Sequence, residues 1–90
     1  MPILGALWLV ACAALPPAQE MSDARQAIRS AEEAGAERYA PEALRRARVL
    51  LQTAQTNLQA GDYPEARNAA LDAHGSALQA REQAQRFATP

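Results

Sequence analysis

Residues 34–66 read AGAERYAPEALRRARVLLQTAQTNLQAGDYPEA, and this stretch decides the fold. From Glu42 to Ala60 no proline or glycine interrupts the chain. Ala43, Leu44, Ala47, Leu50, Leu51, Ala54 and Leu58 recur there at three- and four-residue steps, the period of a helix with one apolar side. On a helical wheel the set spans about 120°, wider than one partner helix needs, with Leu51 at its middle. The helix therefore has two neighbours. Both of its ends are marked. Pro41 suits a first turn, where its missing N–H costs nothing, and Gly61 stands where a helix end wants a positive φ. Asp62 and Glu65 then form a variant of the capping box around Pro64, which starts the next helix. Tyr39 and Tyr63 stand at the two turns and are expected to pack on the helix ends, setting the turn angles as a hydrophobic staple does. The entry device occurs twice, as Tyr39-Ala40-Pro41-Glu42 and Tyr63-Pro64-Glu65. Its prolines are 23 residues apart, which misses the ~34 of tetratricopeptide repeats.

Working outward, MSDARQAIRSAEEAGAER predicts a helix over about 22–38, capped by Ser22 with Asp23 at its positive end. Met21, Ala24, Ala27, Ile28, Ala31 and Ala34 form its apolar stripe. Arg25, Arg29, Glu33 and Glu37 lie opposite. Downstream, a helix over 63–87 carries Ala66, Ala69, Ala70, Ala73, Ala77, Ala80, Ala84 and Phe87 on one face. Leu71 and Leu78 flank Gly75 on the other side, in a shallow groove that a partner helix or a second copy could fill. The fold expected is all-α: three antiparallel helices over about 22–38, 41–60 and 63–87 in a coiled-coil-like bundle, the domain running from 21 to 88.

Composition agrees. Twenty-three of the 90 residues are alanine, and all nine basic residues are arginine. Such usage suits helices rather than sheets. Ninety residues hold one small domain. A net charge of −1 gives no reason to expect nucleic acid, whose binders are usually strongly basic.

The N-terminal run from Pro2 to Leu15 carries no charge. As a helix it would rise about 21 Å, short of a hydrocarbon core of about 30 Å, so a secretory leader fits it better than a span. No Lys or Arg precedes the run, unlike most leaders. Leu9-Val10-Ala11-Cys12 resembles the bacterial lipobox. That resemblance implies a signal peptide over 1–11, cleavage before Cys12, and a diacylglycerol thioether and acylated amine on Cys12. Two or three chains anchor stably where one does not. Ala13 after the cysteine, by the same resemblance, implies sorting to the outer membrane. Pro16 and Pro17 then favour an extended tether over 12–20.

One resemblance covers nearly all of the remaining chain. Ala34-Gly35-Ala36, Tyr39-Ala40-Pro41-Glu42, and Gly61, Tyr63 and Ala66, set between alanine-periodic helices, resemble the bacterial envelope domain DUF4398, a domain of unknown function. The resemblance implies a small helical lipoprotein, or a module ahead of an OmpA-like domain. Peptidoglycan binding belongs to that second domain and is not carried over to these residues.

No constellation suggests catalysis. His74 is the only histidine and reads as a solvated helix residue, so neither a metal site nor a cofactor is expected. There is no nucleophile turn, phosphate loop or paired-cysteine pattern, and no small-molecule substrate is expected. Glu32 and Glu33 are helix neighbours pointing about 100° apart. Arg45, Arg46 and Arg48 read as a solvated face, with Glu42 and Arg46 as an i, i+4 pair. The expected role is a non-catalytic structural or adaptor module on the periplasmic face of a Gram-negative-type outer membrane, held through Cys12. The alternative is a soluble cytoplasmic adaptor that docks a partner through an exposed helix face.

Overall fold

The computed structural model describes residues 15–88, so Trp8, Cys12 and the leader lie outside the described residues. The described chain is all helical: α1 (Ala18–Glu33), α2 (Ala36–Tyr39), α3 (Pro41–Gln59) and α4 (Tyr63–Ala88), three long helices and one single turn.

Two of the expected helices keep their bounds to within a residue, because each is marked at its start by proline and α3 also at its end by glycine. The first does not. Its expected start at Ser22 moves back to Ala18, because Pro17 takes the N-cap position with φ −82° and its carbonyl accepts the Met21 N–H at 3.1 Å. Ser22 therefore lies inside the helix rather than capping it. Pro17 itself is fully buried, so the tether expected over 12–20 gives up its last residues to the domain.

The expected continuity through 38 is also broken. Gly35 adopts φ +89°, a left-handed conformation that costs an L-residue about 1–2 kcal/mol. Its N–H closes onto the Glu32 carbonyl at 3.0 Å, ending α1 and redirecting the chain into α2. Gly61, with φ +81°, does the same after α3. There the Gly61 N–H reaches Leu58 O at 3.0 Å and the Asp62 N–H reaches Asn57 O at 2.9 Å, a full Schellman closure.

The core is built from methyl groups. Among the described residues, every buried apolar side chain except those of Pro17, Met21, Ile28 and Leu44 is an alanine. One cluster joins Ala27, Ile28 and Ala31 of α1, Leu44 and Ala47 of α3, and Ala77, Ala80 and Ala84 of α4. A second joins Met21, Ala54, Ala69 and Ala70. Low numbers on α1 thus meet low numbers on α4 and high numbers on α3. Hence α1 and α4 run the same way and α3 runs against both. The wide stripe on α3 does serve two neighbours, α1 and α4.

Two core expectations change. Leu51 is half-buried, touching both clusters, and the leucine fully enclosed is Leu44 at 1% exposure. Phe87, expected at the end of the alanine seam, is 70% exposed, because the seam's last buried contact is Ala84, three residues earlier.

Candidate functional site

The outward stripe of α4 is the surface that the sequence singled out. Leu71 and Leu78 are 51% and 38% exposed, and Gly75 between them faces open space, with no atom within 4 Å of where a Cβ would stand. The alanine seam explains this placement. Ala66, Ala70, Ala73, Ala77, Ala80 and Ala84 are fully buried, so residues on the opposite side of the helix must face outward. Leu78 also borders a groove between α1 and α4, whereas Leu71 stands outside it.

The turn residues sort to the two ends of the molecule. Tyr39 and Pro41 sit at one end. The Tyr39 ring lies over Gly35, so that a Cβ there would come within 3.3 Å of Tyr39 Cδ2. The Arg38 guanidinium stands 5.4 Å from the centre of the Tyr39 ring. Gly61, Asp62, Tyr63 and Pro64 sit at the other end, separated from the first by the length of α3, about 28 Å. Asp62 serves this turn through its backbone, its carbonyl accepting the Ala66 N–H at 2.9 Å.

Three arginines make cross-helix contacts that the sequence did not reveal. Arg48 of α3 places one Nη2 at 2.6 Å from Glu32 and 2.9 Å from Glu37, bracing the corner between α1 and α2. Hydrogen bonding to Glu32, then to Glu37, holds its pKa above the ordinary arginine value, so it stays charged at any accessible pH. Its capture removes it from the basic cluster. Arg45 turns to Glu42 at 3.8 Å, which corrects the expected Glu42–Arg46 pair.

Arg67 of α4 holds the start of the domain. Its Nε lies 3.4 Å from Glu20, and its Nη2 donates to the Leu15 carbonyl at 3.0 Å. The entering chain is thereby fixed beside the first turns of α1 and α4.

Arg81 donates to Ser30 Oγ at 3.2 Å and makes no ion pair among the described residues. Each of the three has no carboxylate three or four residues away, which is the sequence signal that they were free to reach another helix. Among the described residues no group of three or more His, Cys, Asp and Glu could hold a metal ion, and no helix is long and apolar enough to cross a membrane.

Set beside known proteins, the chain matches the family model "Domain of unknown function (DUF4398)" over residues 19–88. Neither the curated proteins nor the solved structures gave a match.

Proposed function

The chain belongs to the DUF4398 family, and from that premise we propose that it is a lipid-anchored helical module with a structural or adaptor role on the periplasmic side of the outer membrane. In this reading α1, α3 and α4 act as a three-helix bundle that does no chemistry, and Cys12 carries its anchor. The observation that carries the proposal is the docking of the chain at Pro17, five residues after Cys12. Five extended residues reach about 17 Å at most. A domain whose α4 alone is about 39 Å long would then stand with its Gly61 turn toward the bilayer and its Gly35 corner away. The Arg67 contacts to Glu20 and Leu15 support the same placement, since they tie the entering chain to that end.

The second reading, a soluble cytoplasmic adaptor, draws on the exposed Leu71 and Leu78 alone. Both are separated by one experiment. Cells expressing the protein are labelled with palmitate, with and without globomycin, and then fractionated. The wild type should take up label, accumulate as a precursor under globomycin and sediment with the outer membrane, while Cys12→Ser protein should do none of these. If Cys12→Ser protein is processed and fractionates like the wild type, the anchored reading is wrong.

A further inference from the structure

The groove between α1 and α4 has opposite charges at its two ends. Arg81 meets Ser30 across it at 3.2 Å, which sets the register of the two parallel helices. Seven residues back on each helix stand Asp23 and His74, level with one another and two turns, about 10 Å, away. All four residues line the groove, with Gln26 and Leu78 between them and Ala27 among them as a small, buried wall.

The two charged ends are differently engaged. Asp23 accepts one hydrogen bond, from Gln19 Nε2 at 2.8 Å to Oδ1, and has no ion pair among the described residues. Arg81 gives one nitrogen to a neutral hydroxyl. A guanidinium has five N–H donors in a planar fork that matches a carboxylate. The remaining donors of Arg81 have no acid opposite them in the described chain.

From this arrangement we propose that the α1–α4 groove binds a short extended peptide that ends in a free carboxylate. The carboxylate meets Arg81 and Ser30, and an amine or amide N–H meets Asp23. Three extended residues span about 10 Å, the separation of the two ends. Small side chains suit the occupant, because Ala27 lets its backbone lie close while Leu78 covers one side. Two charges of opposite sign fix the direction of the peptide, which a purely apolar groove would not. The site lies wholly within the helical domain and does not rest on the Cys12 anchor.

The test uses the full-length protein, isotope-labelled and held in detergent micelles. Tri-alanine is titrated while backbone amide shifts are recorded. Saturable shifts confined to Ala27, Ser30, Leu78, Arg81 and their neighbours are expected. Tri-alanine amide should bind at least tenfold more weakly, and Arg81→Gln should impose the same loss on tri-alanine while leaving helicity unchanged. Asp23→Asn provides a second arm that preserves shape: it should weaken tri-alanine but not N-acetyl-tri-alanine. The proposal is overturned if no saturable shift appears, if the amide binds as well as the acid, if the shifts centre on Arg45 and Arg46, or if both variants bind like the wild type.

Discussion

Truncating Leu44 tests the core most directly. Among the described residues it is the one leucine that is fully buried, at 1% exposure, and most of its buried neighbours are alanines. Leu44→Ala removes three carbons and leaves a void. Large-to-small changes of this kind cost about 2–5 kcal/mol, the spread reflecting how far the site can collapse. Here it collapses poorly. Alanine neighbours have no rotamers with which to reach inward, so filling the void requires moving a helix, and each helix is held elsewhere along its seam. We therefore place Leu44→Ala at about 3–5 kcal/mol, the upper part of that range. A domain of this size is typically stable by about 4–11 kcal/mol, so the variant loses a large share of its stability and unfolds at room temperature only if the wild type lies at the low end of that range. Urea denaturation followed by circular dichroism gives the value from the shift in midpoint at unchanged slope. Leu51→Ala, half-buried, and Val49→Ala, 58% exposed, serve as the scale: the first should cost less and the second under about 0.5 kcal/mol. A cost below about 1.5 kcal/mol for Leu44→Ala, or one equal to that of Leu51→Ala, would refute the argument that an alanine core cannot heal.

Alanine in place of the three described glycines should separate them by sign in thermal melts. Gly35→Ala and Gly61→Ala, at φ +89° and +81°, should each lose about 1–2 kcal/mol, Gly35 more because a Cβ also presses on Tyr39; Gly75→Ala, mid-helix in open space, should gain about 0.5–1 kcal/mol. Arg48→Ala should destabilise by less than about 1 kcal/mol, since its partners are substantially exposed, and the difference from wild type should shrink in 1 M salt. Leu71→Ser with Leu78→Ser should change the stability of the monomer by less than about 1 kcal/mol while weakening any association seen by analytical ultracentrifugation; a large loss of stability would place these leucines in the core.

What was legible depended on whether the information was local. The bounds of α3 and α4 could be read to within a residue because Pro41, Gly61 and Pro64 act on the backbone beside them. The buried stripe of α1 was legible as well, because period alone defines it. The early start of α1 was not. A proline pair reads equally as a tether or as a cap, and what decides is the burial of Pro17, together with the tie of neighbouring Leu15 and Glu20 to Arg67, fifty residues away in the chain. The break at Gly35 was hidden for a related reason. A glycine inside a helical pattern costs only about 1 kcal/mol, so period carries through it unless something rewards the bend. Burial of Ala36 and Ala40 in the core beyond the corner provides that reward, and Arg48 braces the corner by reaching one carboxylate on each side.

The groove illustrates a deeper limit. Each helix reveals its own stripe, but no single stripe says how far one helix slides along another. Here the alanine seam lets α1 and α4 settle in a parallel register in which Glu20 reaches Arg67 and Ser30 reaches Arg81. Asp23, Gln26 and His74, unremarkable on their own helices, become neighbours only through that register. One pattern does point to it in advance. Arg48, Arg67 and Arg81 are the arginines with no carboxylate three or four residues away that do not lie on a wholly solvent-facing stripe; Arg25, the remaining one, does. A long cation without a local partner, placed at the edge of an apolar seam, has a second helix within reach of its guanidinium. On this view the arginines define the register and the alanines permit it, so shifting Arg81 by one turn (Arg81→Ala with Gln85→Arg) should move the groove's positive end rather than abolish the fold.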